Sequence, residues 1–130
     1  MRISVDASPL LLRSAGVKNY LYHWIHALQR TSSEHAVDPY PFIRNVGELT
    51  HESSVMSLLH TAPRIAWLLA SNKFHFTRRL GAGNAQVFHV TNQVHAGVKG
   101  MALTATVHDM TCWLTPEFHT EANIDRKSVV

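Results

Sequence analysis

The sequence predicts an α/β fold in which a parallel sheet carries helices on both of its faces. The first observation is an alternation along the chain, where short apolar segments typical of buried strands are separated by longer segments with helical spacing. The second is the first loop, which joins a strand to a helix and contains Gly16. The third is composition: 130 residues, 45% hydrophobic and 16% charged, are enough to build the core of one domain.

The first predicted strand covers residues 3–7, where apolar and polar side chains alternate until Ser8 and Pro9 end the pattern. A loop over residues 10–16 follows. The next element is expected to be a helix of about 14 residues, because apolar side chains recur there at helical spacing. That stripe consists of Val17, Leu21, Trp24, Ile25 and Leu28.

The middle of the chain is predicted to continue the alternation. Residues 31–38 are polar and predict a loop. Residues 40–43 are compatible with a second strand, which Pro39 and Pro41 place at a sheet edge or make short and irregular. Residues 55–59 and 63–80 predict helices, with Pro63 in a first turn and with Gly81 and Gly83 ending the second helix. Residues 86–90 and 103–107 predict strands that are central in the sheet together with residues 3–7.

The last segment, residues 115–130, is less apolar and contains no further strand pattern, although Glu117 and Phe118 are compatible with the start of a helix. A doubly wound domain normally continues with more strands at this point. We therefore expect residues 1–130 to form part of one Rossmann-like domain within a longer protein.

Charge and cysteine content exclude several classes of protein. The formal net charge of +3 is not concentrated in one tract, which argues against a nucleic-acid-binding protein. A single cysteine, Cys112, excludes an internal disulfide and is typical of a reducing compartment. No apolar run approaches the ~20 residues that span a bilayer, so a cytoplasmic protein is expected. The basic, apolar segment 63–80 is compatible with a sheet-covering helix and also with peripheral contact on the inner membrane face.

Polar side chains that can carry chemistry follow the predicted strands. His89 and Asn92 lie at the end of one strand, and His108 and Asp109 follow the next. Ligands of open α/β sheets bind beyond the carboxyl ends of the strands, so these side chains are candidates for one crevice. His108 is suited to exchanging a hydrogen bond with a substrate hydroxyl, and Asp109 to orienting that imidazole or binding a sugar hydroxyl. Ordinary surface and loop hydrogen bonds are the alternative for all four.

The loop before the first helix is a candidate phosphate site. The N–H groups of a first helical turn attract anions, and Gly16 allows a phosphate to approach the backbone next to Val17. A glycine that only permits a turn is the competing interpretation. A metal site is not predicted, because His23 and His26 share a helix face without a third ligand at a familiar spacing. No sequence pattern of a nucleophilic serine or cysteine site occurs.

Four stretches occur in an order found in one enzyme family. They are MRISVDASPL (residues 1–10), GVKNY (16–20), VFHVTN (87–92) and TVHDMT (106–111). Together they resemble the N-terminal part of retaining glycosyltransferases of the GT-B fold, family 4 (glycosyltransferase group 1 type). The chain departs from the family pattern at Ser8, where arginine is common, and at Ala15-Gly16, where two glycines are common.

The resemblance implies transfer of a sugar from a nucleotide-sugar donor, as substrate, to a glycan or lipid-linked acceptor, without a further cofactor or a metal. It implies that Gly16 and Val17 lie near the donor diphosphate and that His108, beside Asp109, faces the donor sugar. His89 and Asn92 are then candidates on the acceptor side. The family's second domain carries a Glu-x7-Glu type motif, so this chain is expected to be inactive alone.

Two other functions stay open at this point. One is a non-catalytic α/β module that binds a phosphorylated ligand, a sugar or a partner protein. The other is a small hydrolase that uses His108 and Asp109, which ranks last because no nucleophile accompanies them.

Overall fold

The computed structural model of the chain describes residues 1–11, 16–31, 34–41, 57–91 and 98–121. Its centre is a parallel sheet of four strands in the order β2-β1-β3-β4. The strands are β1 (Arg2–Asp6), β2 (Ala36–Tyr40), β3 (Val87–Val90) and β4 (Ala102–Ala105). Helices α1 (Gly16–Thr31), α2 (Leu58–Lys73), α3 (His75–Ala82) and α4 (Thr111–Leu114) flank it, with 3-10 turns at Ser8–Leu11 and Pro116–Phe118. This Rossmann-like α/β arrangement confirms the predicted fold class.

Helix α1 covers one face of the sheet. Side chains in a strand alternate between faces, so Val5 and Val37 share the face onto which α1 packs. Leu21 and Ile25, one turn apart on α1, have no exposed surface and complete this core. The predicted apolar stripe of the first helix is therefore the stripe that the sheet buries.

Helices α2 and α3 cover the opposite face. There Phe88 and Val90 of β3 form a second core cluster with Tyr40 and Ala82, and Trp67 of α2 packs against it. The hydroxyl of Tyr40 donates a hydrogen bond of 2.8 Å to Ser71 Oγ. Burial raises the pKa of Tyr40, a shift that this and other nearby polar groups partly oppose, so the phenol stays a donor. The two clusters lie on opposite sides of one sheet, as the fold class requires.

Strand β2 corrects the prediction for residues 31–38, because it begins at Ala36 where a loop was expected. Asp38 and Pro39 are poor strand formers, so the sequence pattern did not indicate a strand at these residues. They are tolerated because β2 is an edge strand, and an edge strand needs only one side of its backbone for pairing. Asp38 also forms an exposed ion pair with Arg2 of β1, 3.2 Å between Nε and Oδ2. The edge position was predicted correctly, and residues 42 and 43 lie outside the described residues.

The helices of the middle segment also differ from the prediction. Helix α2 starts at Leu58, so Pro63 lies inside it and not in its first turn. The extended backbone of Phe74 separates α2 from α3, where one helix over residues 63–80 was expected. Gly81 lies within α3, and the helix ends at Gly83, whose φ of 59° is readily adopted only by glycine.

Strand β4 is shorter than the predicted segment 103–107, since it ends at Ala105. One further ladder bond follows, in which the Thr106 N–H donates to the Val90 carbonyl at 2.9 Å. The single turn α4 was not predicted. Within the described residues, no helix has both the length and the apolar character needed to cross a bilayer.

Candidate functional site

The carboxyl ends of β1, β3 and β4 are joined at one edge of the sheet. The Thr91 hydroxyl, fully buried, donates a hydrogen bond of 2.6 Å to the backbone oxygen of Asp6 at the end of β1. The Thr91 carbonyl in turn accepts a bond from His108, beyond β4. Thr91 thus joins Asp6, 85 positions before it, and His108, 17 positions after it, at the edge where the sequence predicted the site.

His108 is held through one ring nitrogen, and its side chain is exposed. Its Nε2 lies 2.8 Å from the Thr91 carbonyl oxygen. A carbonyl oxygen can only accept, so Nε2 carries the proton and, in the neutral ring, Nδ1 carries the lone pair. The edge of Tyr20 on α1 contacts the imidazole, 5.1 Å between ring centroids. The ring is therefore oriented by two contacts while the side chain stays accessible.

Asp109 binds the backbone that follows it. Its Oδ1 accepts a hydrogen bond of 2.8 Å from the Thr111 N–H, and its Oδ2 accepts one of 2.9 Å from the Thr111 hydroxyl. These bonds satisfy the first N–H of α4 in the manner of a helix cap. They position the segment after β4, and the predicted roles of Asp109, orienting the His108 imidazole or binding a sugar hydroxyl, stay predictions.

His89 uses both ring nitrogens within the protein. Its Nδ1 lies 2.8 Å from the Thr104 hydroxyl and its Nε2 lies 3.0 Å from the Thr106 hydroxyl. Trp24 of α1 packs against the ring at 4.9 Å. Burial lowers the pKa of His89, and the charge of Asp6 opposes this in part. The neutral ring therefore orders two threonine hydroxyls, and a sugar can bind either nitrogen only by displacing one of them.

Gly16 opens α1, and a Cβ added there would meet no atom of the described residues within 4 Å. Packing against the described residues therefore does not explain this glycine. Tyr20, which contacts His108, lies one turn further along α1, about 6 Å by the helical rise. Gly16 and the half-buried Val17 are consequently at the same edge of the sheet as His108. Asn92, the remaining candidate, lies outside the described residues.

Lys18 is a group that the sequence reasoning did not single out. It lies in the first turn of α1 with only 2% of its surface exposed, and burial lowers its pKa. The sequence spacing could have indicated this burial, because Lys18 lies on the same stripe of the helix as Leu21 and Ile25. A cation in this position adds to the positive potential that the helix N-terminus already provides.

Two aromatic residues of α1 also contact the candidate histidines, which the sequence analysis did not predict: it placed Trp24 in the apolar stripe and gave Tyr20 no role. Tyr20 and Trp24 stack at 6.2 Å with an interplanar angle of 17°. Tyr20 touches His108 and Trp24 touches His89, so one face of α1 supports both histidines. The spacing of four residues could have indicated that they share a face.

The described residues contain no group of three His, Cys, Asp or Glu side chains that could hold a metal ion. His23 and His26, the pair considered for such a site, both pack edge-on against Tyr22 at 5.2 and 4.5 Å. A cavity of about 490 Å³ lies elsewhere, lined by Arg2, Ser4, Asp38, Pro39 and residues 81–83. Its charged groups, Arg2 and Asp38, pair with each other, and it contains none of the predicted site residues.

Comparison with models of protein families, with curated protein sequences and with solved structures finds no match for this chain. Its function is therefore argued from the chemistry of the sheet edge and from the motifs that the edge contains.

Proposed function

We propose that this chain forms the acceptor-side part of a retaining glycosyltransferase, which moves a sugar from a nucleotide-sugar donor to an acceptor hydroxyl. The observation that carries the proposal is the arrangement of His108: its Nε2 is anchored on the Thr91 carbonyl, and its side chain is exposed at the carboxyl edge of a Rossmann-like sheet. The resemblance of four sequence stretches to family 4 of these enzymes supplies the reaction.

In this proposal His108 binds a hydroxyl of the donor sugar. With Nε2 committed to Thr91, the neutral ring accepts a hydrogen bond at Nδ1, and the protonated ring donates one there. The fixed direction of the ring aligns the sugar before reaction, which lowers the entropic part of the barrier. Thr91 acts through His108 and is a positioning residue.

The N-terminus of α1 receives the diphosphate of the donor. Negative charge builds on this group as the glycosidic bond breaks, and the N–H groups at Gly16 and Val17 stabilise that charge together with the helix dipole. The open space at Gly16 among the described residues supports such an approach, and the buried Lys18 in the same turn adds positive potential. No metal ion is needed for this chemistry.

The acceptor, a glycan or a lipid-linked sugar, binds beside His89. There the hydroxyls of Thr104 and Thr106 can exchange hydrogen bonds with an acceptor hydroxyl, and His89 keeps both oriented. Asn92 follows the same strand and is proposed to bind the acceptor directly.

Catalysis is expected to need a second domain, because sugar transfer requires a closed cleft that excludes water. The groups at this edge contribute about 1–3 kcal/mol each, so the chain alone should bind a nucleotide sugar no more tightly than about millimolar. We expect the 130-residue chain to transfer no sugar by itself.

The test is titration of the isotopically labelled chain with UDP-glucose and GDP-mannose, followed through the imidazole signals of its histidines. The signals of His108 should shift at millimolar donor, and those of His35, exposed before β2, should not. In His108→Ala the donor response of backbone amides in the first turn of α1 should weaken, whereas His35→Ala should leave it intact.

The proposal is overturned if the shifts are the same at His35 as at His108, or absent at both. Rapid sugar transfer by the isolated chain would contradict the need for a second domain and the roles assigned here. Binding of an unrelated phosphorylated ligand at the same edge, with no response to nucleotide sugars, would instead support the non-catalytic α/β module.

A further inference from the structure

Helix α2 has apolar side chains on two sides. Trp67 and Leu68 pack toward the core, on the side of the helix where Ser71 bonds to Tyr40. A second stripe, at a spacing of three to four residues, is apolar up to its last member. It consists of Leu58, Ala62, Ala66, Leu69 and Lys73, all exposed.

The exposed apolar surface continues onto α3. Leu58 is 80% exposed, Leu59 86%, and Leu69 66%. Phe76 and Leu80, one turn apart on α3, are each 64% exposed. Large side chains of this kind are usually buried, and several of them exposed on two successive helices indicate a surface that contacts something else. We call this group, with Lys73, Phe74 and Arg79, the α2–α3 face.

The stretch of sequence that forms the α2–α3 face carries charges of one sign. No Asp or Glu occurs between residues 53 and 108, while five Lys and Arg do: Arg64, Lys73, Arg78, Arg79 and Lys99. Lys73 and Arg79 are exposed beside the apolar side chains, and the Lys73 ammonium lies 5.7 Å from the Phe74 ring centre. A surface that matches this pattern is apolar and negatively charged.

We propose that the α2–α3 face binds the surface of an anionic lipid bilayer. Leucine and phenylalanine side chains enter the boundary between headgroups and acyl chains, while lysine and arginine contact anionic headgroups. Helix α2, about 24 Å long, then lies in the plane of the membrane. A second copy of the chain fits less well, because pairing two such faces would bring Lys73 and Arg79 of both copies together. The inference is independent of the proposed sugar transfer.

The test is co-sedimentation of the 130-residue chain with vesicles of phosphatidylcholine plus phosphatidylserine and with vesicles of phosphatidylcholine alone. We expect binding to the anionic vesicles at low salt that weakens as salt is raised. Leu59→Ser with Leu69→Ser should weaken it about tenfold or more. Lys73→Glu should weaken it about fivefold and remove most of the preference for anionic lipid.

The matched control is Leu114→Ser with Phe118→Ser, which removes two equally exposed apolar side chains outside the α2–α3 face. This variant should bind like the wild type. All the changed side chains are exposed, so circular dichroism and urea unfolding should show that every variant folds. The proposal is wrong if the wild type ignores anionic vesicles at low salt or if the control loses as much binding as Leu59→Ser/Leu69→Ser. It is also wrong if the face mediates a dimer in solution that Leu59→Ser/Leu69→Ser abolishes.

Discussion

Helices α1 and α2 have the same length, 16 residues, and cover opposite faces of one sheet, yet they differ in the apolar surface that they leave exposed. Helix α1 buries Leu21 and Ile25 completely against the sheet. Helix α2 packs Trp67 and Leu68 against the core, and it also leaves Leu58 and Leu69 in contact with solvent. Helical spacing of apolar residues shows that a stripe exists, and it does not show on which side the partner lies.

The two helices therefore have different functions: α1 supports the carboxyl edge of the sheet, and α2 presents an apolar surface to the outside. Helix α1 buries its apolar stripe against the sheet of the same chain. Other residues of α1 lie near the carboxyl edge of the sheet, where Tyr20 contacts His108. The outer apolar side chains of α2 are not covered by any other described residues. We therefore expect this surface to contact an external partner.

The largest predicted effect compares the same change in the two helices. Leu21→Ala should lower the free energy of unfolding by about 2–5 kcal/mol, because it leaves a cavity in a packed core. Leu69→Ala should change it by no more than about 0.5 kcal/mol, because the side chain is mostly exposed and alanine favours a helix. Urea unfolding of both variants measures the two values.

Equal losses in these variants would contradict the comparison. A loss of more than about 2 kcal/mol for Leu69→Ala would mean that α2 buries its outer stripe in the folded chain, and the α2–α3 face would then not be a surface. Leu68→Ala, at a half-buried position next to Leu69, is expected between the two values.

The sequence was sufficient for the fold class because β1, β3, β4 and α1 are specified by local pattern. Ile3 and Val5 alternate with polar residues, and the α1 stripe recurs at helical spacing. The start of β2 was placed too late because Pro39 is acceptable only at an edge, and edge position is a property of the assembled sheet.

The candidate site was predictable in place but not in detail. Its position follows from the rule that strand ends converge. The anchoring of His108 on Thr91, and the use of Asp109 as a cap, depend on contacts that form only when the chain has folded. Lys18 had the right spacing to be noticed, but a charged residue on an apolar stripe is normally expected to extend to solvent.

The next prediction tests whether the α2–α3 pair rests on the sheet through one close contact. A Cβ at Gly81 would lie 2.6 Å from Tyr40 Cε2 and 2.8 Å from Trp67 Nε1. Tyr40 is buried and bonded to Ser71, so it cannot easily move away. Gly81→Ala should therefore lower the free energy of unfolding by about 1–3 kcal/mol, even though alanine favours a helix by up to about 1 kcal/mol.

Gly16→Ala is the matched control, because it changes a glycine in α1 where the new Cβ has no atom of the described part of the chain within 4 Å. It should alter the free energy of unfolding by about 0.5 kcal/mol or less. If Gly81→Ala were as harmless as Gly16→Ala, the close packing of α3 on Tyr40 would be refuted. The exposure of the α2–α3 face would then reflect a loose attachment to the sheet.

The smallest predicted effect concerns pH and the α1 side of the sheet. Burial lowers the pKa of His89 below its ordinary value of about 6.5, and the charge of Asp6 opposes this in part. Below about pH 6.5 the unfolded chain gains a proton at this position before the folded chain does, so the contribution of His89 to stability is present above that pH and is lost as the pH falls toward the folded pKa. The free energy of unfolding, measured by urea between pH 7.5 and 5, should thus fall less steeply with decreasing pH in His89→Gln than in the wild type.

The two slopes are compared, and not the absolute stabilities, because the substitution also alters the bonds to Thr104 and Thr106. His35→Gln controls for the loss of one histidine at an exposed position. A slope unchanged by His89→Gln, or changed equally by His35→Gln, would mean that α1 does not bury the His89 ring and that the order of the threonine hydroxyls has another source.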